Sequence, residues 1–100
     1  MAILYPQIFD AVKAVTGISQ RKLVSRSRLW PVVEARQLFV LLASRLGAID
    51  SSIGFVLMRG RVGICKTRHV AENYISVSRL FARKYERVKK HYDDAAARLG

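Results

Sequence analysis

Residues 53–69 read Ile53-Gly54-Phe55-Val56-Leu57-Met58-Arg59-Gly60-Arg61-Val62-Gly63-Ile64-Cys65-Lys66-Thr67-Arg68-His69. A short helix, capped by Asp50 or Ser51, runs to about Leu57. The turn Met58-Arg59-Gly60-Arg61 follows, and a longer basic helix runs from Val62 to about Ile75. Short helix, tight glycine-bearing turn and longer basic helix is the arrangement of a helix-turn-helix, whose second helix offers its N-terminal side chains to base edges in the major groove. At helical spacing Ile64, Arg68, Ala71 and Ile75 share one stripe, with the stem of Arg68 at its margin. Val62, Gly63, Lys66, Thr67 and Val70 share another, and its mixture of small, polar and cationic groups suits a groove floor better than a core. Arginine and lysine can donate to guanine O6 and N7, and Thr67 can reach a base or a phosphate. Gly63, without a side chain, lets the helix start approach a partner closely.

Outward from this stretch the sequence reads as helix throughout. Ile8, Ala11, Val12 and Val15 recur at helical spacing, and Gly17 stops that helix, predicted over 7–15. Ser19 caps a short helix to Val24, and Ser25-Arg26-Ser27-Arg28 reads as a basic, hydroxyl-rich loop. Trp30-Pro31 opens a helix, because proline is tolerated in the first turn. Val32, Val33, Ala35, Leu38, Phe39, Leu41, Leu42 and Leu46 cover most of its circumference, which predicts a buried central helix ended by Gly47. A last helix is expected from about Val77 to Ala97, after an interruption near Ser76, with Val77, Leu80, Phe81, Tyr85, Val88 and Tyr92 on one face. No segment alternates as a half-buried strand does. The expectation is therefore one all-α domain of five to six helices over residues 1–100, with a core over about 7–92 and a polar tail over 93–100.

Composition narrows the function classes. Half of the residues are hydrophobic (51%), enough to bury a core in a chain of 100 residues. Eighteen Lys and Arg face seven Asp and Glu, a formal charge of +11. That excess opposes compaction and points to an anionic partner. The single cysteine, Cys65, rules out an internal disulfide framework and fits a reducing, cytoplasmic setting. The N-terminus lacks the pattern of a signal peptide, and the longest apolar run, Leu38–Ala43, is far short of the roughly 20 residues of a membrane span.

With the helices placed, the chain resembles the C-terminal DNA-binding domain of the bacterial replication initiator DnaA, from about Ile8 to Tyr92. Three anchors carry the resemblance: Val24-Ser25-Arg26-Ser27-Arg28, similar to the family's basic loop; Val33-Glu34-Ala35-Arg36-Gln37, similar to a family helix start; and Ile53-Gly54, at the family's usual distance before the turn. The resemblance implies a compact helical domain of the Trp-repressor-like kind. It implies Arg28 in the minor groove and Arg36 and Gln37 near the phosphate backbone. Against the family's signature of arginine-aspartate-histidine-threonine-threonine-valine stands Arg59-Gly60-Arg61-Val62-Gly63-Ile64. The first arginine and the last aliphatic residue match, and the four positions between them depart. Those positions read the initiator's own DNA box in the family, so the resemblance implies the groove geometry of a stand-alone relative without its target. Arg61 and Val62 could still meet guanine and a thymine methyl.

The expected function is duplex DNA binding in replication or transcription control, at the nucleoid. Arg28 is expected in the minor groove. Arg61, Val62, Lys66 and Thr67 are expected at the major groove, and Arg26, Arg36, Gln37, Arg45, Arg59 and Arg68 at phosphates. Catalysis is not expected. Cys65 has no base beside it, His69 and His91 are isolated, Asp93-Asp94 sits in a polar tail, and no glycine-rich phosphate loop of the G-x-x-x-x-G-K-S/T type occurs. No cofactor, metal or small-molecule substrate is implied. Trp30, beside the proposed minor-groove arm, is expected to pack beneath the basic loop, the alternative being a place against the sugar-phosphate edge. Arg79, Arg83, Arg87 and Lys90 recur along the last helix as a cationic ridge, with Lys84 and Lys89 on its flanks. Its readings are a phosphate contact or a solvated outer face. The alternative function is a protein-interaction module that uses this helix, with Phe81, Tyr85 and Tyr92 as its apolar patch if they are left exposed. Membrane-surface binding and enzymatic activity rank below both.

Overall fold

The helices begin and end where the sequence supplies local reasons. In the computed structural model, which describes residues 2–99, α1 spans Tyr5–Thr16 with Pro6 in its first turn. It stops at Gly17, whose left-handed φ of 76° carries no side-chain penalty. The four-residue α2 (Gln20–Leu23) is capped by Ser19, whose hydroxyl accepts from the Lys22 amide at 3.3 Å. α3 (Trp30–Arg45) follows the loop, then α4 (Asp50–Leu57), α5 (Arg61–Val77) and α6 (Arg79–Leu99). The described residues are all-α, with no strand among them.

α3 is the axis of the domain. Its residues from Ala35 to Ala43 are all buried, and α1, α5 and α6 pack around it. Ile8 and Val12 of α1, Leu23 of α2, Ile53 and Leu57 of α4, Ile64 and Ala71 of α5, and Phe81, Tyr85 and Val88 of α6 complete one cluster with Leu38, Phe39, Leu41 and Leu42. Each fully buried Leu or Phe contributes about 2 kcal/mol relative to exposure. The Phe9 and Phe39 rings meet at 4.6 Å between centroids, tying α1 to the centre.

Several local expectations are corrected. Ile49, in an extended conformation, precedes α4, and no side chain caps that helix. Asp50 is its first residue and faces Arg68 instead. The last two helices break at Ser78 rather than Ser76. Ser78 has strand-like dihedrals, and its hydroxyl accepts from the Phe81 amide at 3.2 Å, starting α6. Val77 and Leu80 lie off the packed face, at 70% and 64% exposure. The core also reaches beyond 7–92. Ile3, Leu4, Tyr5 and Ala96 pack against it, the Leu4 amide donates to the Tyr92 hydroxyl at 3.2 Å, and the expected polar tail continues α6 to Leu99. Residues 1 and 100 of the expected domain lie outside the described residues.

Candidate nucleic-acid interface

The turn between α4 and α5 is built by a close backbone contact. α4 ends with Met58 in the left-handed region (φ 58°, ψ 45°), and the Arg59 amide donates back to the Gly54 carbonyl at 2.7 Å. This is the Schellman closure of a helix C-terminus, with methionine where glycine is usual. Gly54 permits it. A Cβ there would lie 2.5 Å from the Arg59 carbonyl oxygen and 3.4 Å from Ile64 Cγ1. Only a residue without a side chain lets the turn fold back this tightly over α4. Gly60 then precedes α5, with no side-chain cap and no acid in the first turn, so the positive end of the helix dipole is unopposed by its own helix.

The same turn is fastened to the basic loop. Arg59 Nη2 donates to the Ser25 carbonyl at 2.6 Å, 34 residues away in sequence. Arg36, on the adjacent face of α3, donates to that carbonyl too, from Nη2 at 2.6 Å. It also donates to the carbonyls of Ser27 at 2.6 Å, Leu23 at 2.8 Å and Lys22 at 3.4 Å. One buried guanidinium thus closes the C-terminal end of α2 and shapes the loop, using carbonyls alone. Burial, and then the charge of Arg59, pull its pKa below the ordinary arginine value. Residues 25–28 are thereby held against the turn before α5. The loop's hydroxyls add local order: Ser25 Oγ accepts from the Ser27 amide at 3.2 Å, and Ser27 Oγ from the Leu29 amide at 3.3 Å.

The side chains expected at DNA divide into two groups. Arg26, Arg28, Arg61, Val62 and Lys66 are exposed, Val62 by 63%, and Arg59 is partly exposed. None of the four ion pairs among the described residues uses any of these cations. Thr67 is partly exposed, and its hydroxyl donates to the Gly63 carbonyl within the helix at 3.0 Å. The others are buried or engaged with groups of the protein itself. Arg36 (8% exposed) and Gln37 (5%), expected at the phosphate backbone, are buried. The Gln37 side-chain oxygen has no hydrogen-bond partner. Arg45 pairs with Glu72 at 3.1 Å and lies 5.0 Å from the centre of the Tyr85 ring. Arg68 holds both carboxylate oxygens of Asp50 at 3.0 Å, a two-pronged pair joining α4 to α5. That guanidinium keeps the Asp50 carboxyl below the usual carboxylate range.

The sequence around the interface lacks acids. Between Asp10 and Glu34 stand five Lys and Arg with no acid, and between Asp50 and Glu72 four more. The Arg59–Ser25 hydrogen bond joins these two acid-free stretches. Two apolar side chains beside the turn, Phe55 (87%) and Met58 (75%), are exposed, and the sequence pattern assigned them no role. Trp30 departs from expectation as well. It is 53% exposed and meets Tyr74 edge-on at 6.1 Å rather than lying under the loop. Among the described residues no group of three His, Cys, Asp or Glu could hold a metal ion, and no helix is long and apolar enough to cross a membrane.

No family model, no curated protein and no solved structure matches the chain.

Proposed function

We propose that the chain is a duplex DNA-binding domain, a stand-alone relative of the DnaA C-terminal domain acting in replication or transcription control at the nucleoid. In this reading the start of α5 enters the major groove, with Arg61, Val62, Lys66 and Thr67 toward base edges. Arg28 enters the adjacent minor groove, and Arg26 and Arg59 meet phosphates. The observation that carries the reading is the Arg59–Ser25 hydrogen bond. It sets an unpaired basic loop beside the uncapped start of a basic helix, the two elements that a helix-turn-helix with a minor-groove arm needs side by side.

Gly63 adds independent support. A Cβ there would meet nothing within 4 Å, and its φ is not in the left-handed region. Glycine inside a helix costs about 1 kcal/mol relative to alanine, so folding gains nothing from it. Close approach of a partner to the α5 backbone gives the glycine a use. The protein-partner alternative loses its proposed patch, since Phe81, Tyr85 and Tyr92 are at most 5% exposed.

The test is fluorescence anisotropy of the full chain with three labelled duplexes (an initiator box, a scrambled box and a random pool) at low and physiological salt. The reading expects tight, salt-dependent binding that weakens as the phosphate contacts are screened. It expects no preference for the initiator box, whose reading positions are replaced here by Gly60, Arg61, Val62 and Gly63. Replacing Arg26, the exposed cation assigned to a phosphate, by glutamine lowers the log–log salt slope by about 1. Absence of binding at low salt would overturn the proposal.

A further inference from the structure

The outward face of α6 is the second strongly charged surface of the molecule. Arg79, Arg83, Arg87 and Lys90 are all exposed, and none joins an ion pair among the described residues. The other two lysines of this stretch are neutralised: Lys84 meets Glu34 at 2.6 Å and Lys89 meets Asp93 at 3.0 Å. At 3.6 residues per turn the four unpaired cations cluster about 175° from the mean direction of the buried Phe81, Tyr85, Val88 and Tyr92. They therefore point straight away from the core, along a ridge about 16 Å long. Glu86 is the one acid on that face between its ends. Cations four residues apart repel by a few tenths of a kcal/mol per pair, so helix stability disfavours this spacing, which instead suits a polyanion laid along the helix.

The position of the ridge says which polyanion. α5 is 17 residues long, about 25 Å, and the ridge begins two residues after its end. If the N-terminal end of α5 faces one duplex, the ridge starts at the helix end farthest from it, in a molecule measuring 34 × 29 × 23 Å. We propose that Arg79, Arg83, Arg87 and Lys90 form a second phosphate-backbone contact that takes a second segment of duplex DNA while α5 holds the first. This rests on the duplex-binding function proposed above. One chain then bridges two duplex segments, and the bridging step depends on the ridge alone.

The test is sandwich capture. A biotinylated duplex on beads is loaded with the full chain and washed, and a fluorescent duplex is then added. Three proteins are compared: the wild type, the ridge variant R79Q/R83Q/R87Q and the interface variant R26Q/R28Q/R61Q, each checked for helicity by circular dichroism. The expected result is capture of the fluorescent duplex by wild type at low salt and loss of most of that signal with the ridge variant. The ridge variant still binds a single duplex within about twofold of wild type, a difference well under 1.4 kcal/mol. Capture by the ridge variant equal to wild type overturns the proposal and assigns bridging to self-association. Single-duplex binding without capture by wild type overturns it while leaving the function proposed above intact. Loss of single-duplex binding in the ridge variant, with the interface variant unaffected, overturns both and makes the ridge the only DNA site. Flotation with vesicles of equal phosphatidylserine and phosphatidylcholine is run beside it. Ridge-dependent flotation without duplex capture overturns the proposal in favour of a membrane surface.

Discussion

Replacing Arg36 by methionine separates the scaffold of the basic loop from its charge. The side chain is 8% exposed and donates to four carbonyls, three of them at 2.8 Å or less. Hydrogen bonds to a charged donor are worth about 1.5–3 kcal/mol each, and the cost of taking the guanidinium out of water opposes that gain. The carbonyls of Ser25 and Ser27 belong to partly exposed residues and recover water when the donor is lost. We therefore expect R36M to cost about 2–4 kcal/mol. In a domain of this size that lowers Tm by roughly 10–25 °C. Arg36→Lys keeps the charge but lacks the planar fork, and falls between the two. DNA affinity drops further than unfolding alone requires, because a released loop must be re-ordered on binding at about 1–2 kcal/mol per residue, which weakens binding about tenfold or more. The assays are thermal melting by circular dichroism and duplex anisotropy at 15 °C, where the variant is still folded. An R36M protein that melts within about 2 °C of wild type, or binds duplex equally well while folded, refutes the assignment of Arg36 as the clamp of this loop.

Three further perturbations test neighbouring claims. Asp50 has its folded pKa lowered by its hydrogen bonds to Arg68, so its contribution is full above the unfolded value of about 3.9 and is lost as pH falls through the folded one. The Tm gap between wild type and Asp50→Asn should therefore be constant near neutrality and close on acidification below about pH 4; a gap unchanged down to pH 2 contradicts the pairing. Gly54→Ala places a methyl against the Arg59 carbonyl and should destabilise by about 1–3 kcal/mol while weakening duplex binding through the displaced turn; a neutral substitution means that the turn has slack. Gly63→Ala should stabilise by about 1 kcal/mol and weaken duplex binding. Stabilisation with unchanged affinity shows that nothing approaches the α5 backbone there.

The legible part of the fold was the part set by local pattern. Apolar residues around most of the circumference of Val32–Leu46 identified the buried axis, and Gly17 and Gly47 marked helix ends where both take positive φ. The stripe of Val62, Gly63, Lys66, Thr67 and Val70 follows the less buried side of α5. What local pattern could not show is pairing at long range. Arg36 and Arg68 read as surface cations because nothing near them in sequence reveals four backbone carbonyls or an aspartate 18 residues away. Asp50 read as a helix cap for the same reason. Trp30 read as packed because large aromatics usually fill cores, yet the space under the loop is taken by the Arg36 guanidinium and its carbonyls.

The choices that folding does not favour gather at one end of the molecule. Met58 occupies a left-handed position that suits glycine, Gly63 occupies a helical position that suits alanine, and two guanidinium groups share the Ser25 carbonyl with no carboxylate between them. Around α3, α1 and the buried face of α6 the exception among the described residues is the buried Gln37 side-chain oxygen, which has no partner, while other polar groups there meet partners such as Leu4 with Tyr92 and Tyr5 with Ser52. Local choices that contradict stability are expected where a partner acts on the surface. The fold thus separates a scaffold in which propensity and packing agree from a turn-and-loop end in which they do not. At that end the cations of the acid-free stretches find carbonyls or solvent, apart from Arg68 with Asp50 at the margin. Under the proposed function, a phosphate backbone laid against the exposed Arg26, Arg28 and Arg61 would supply the negative charge that this end of the fold lacks, while the buried Arg36 keeps the loop in place beneath them.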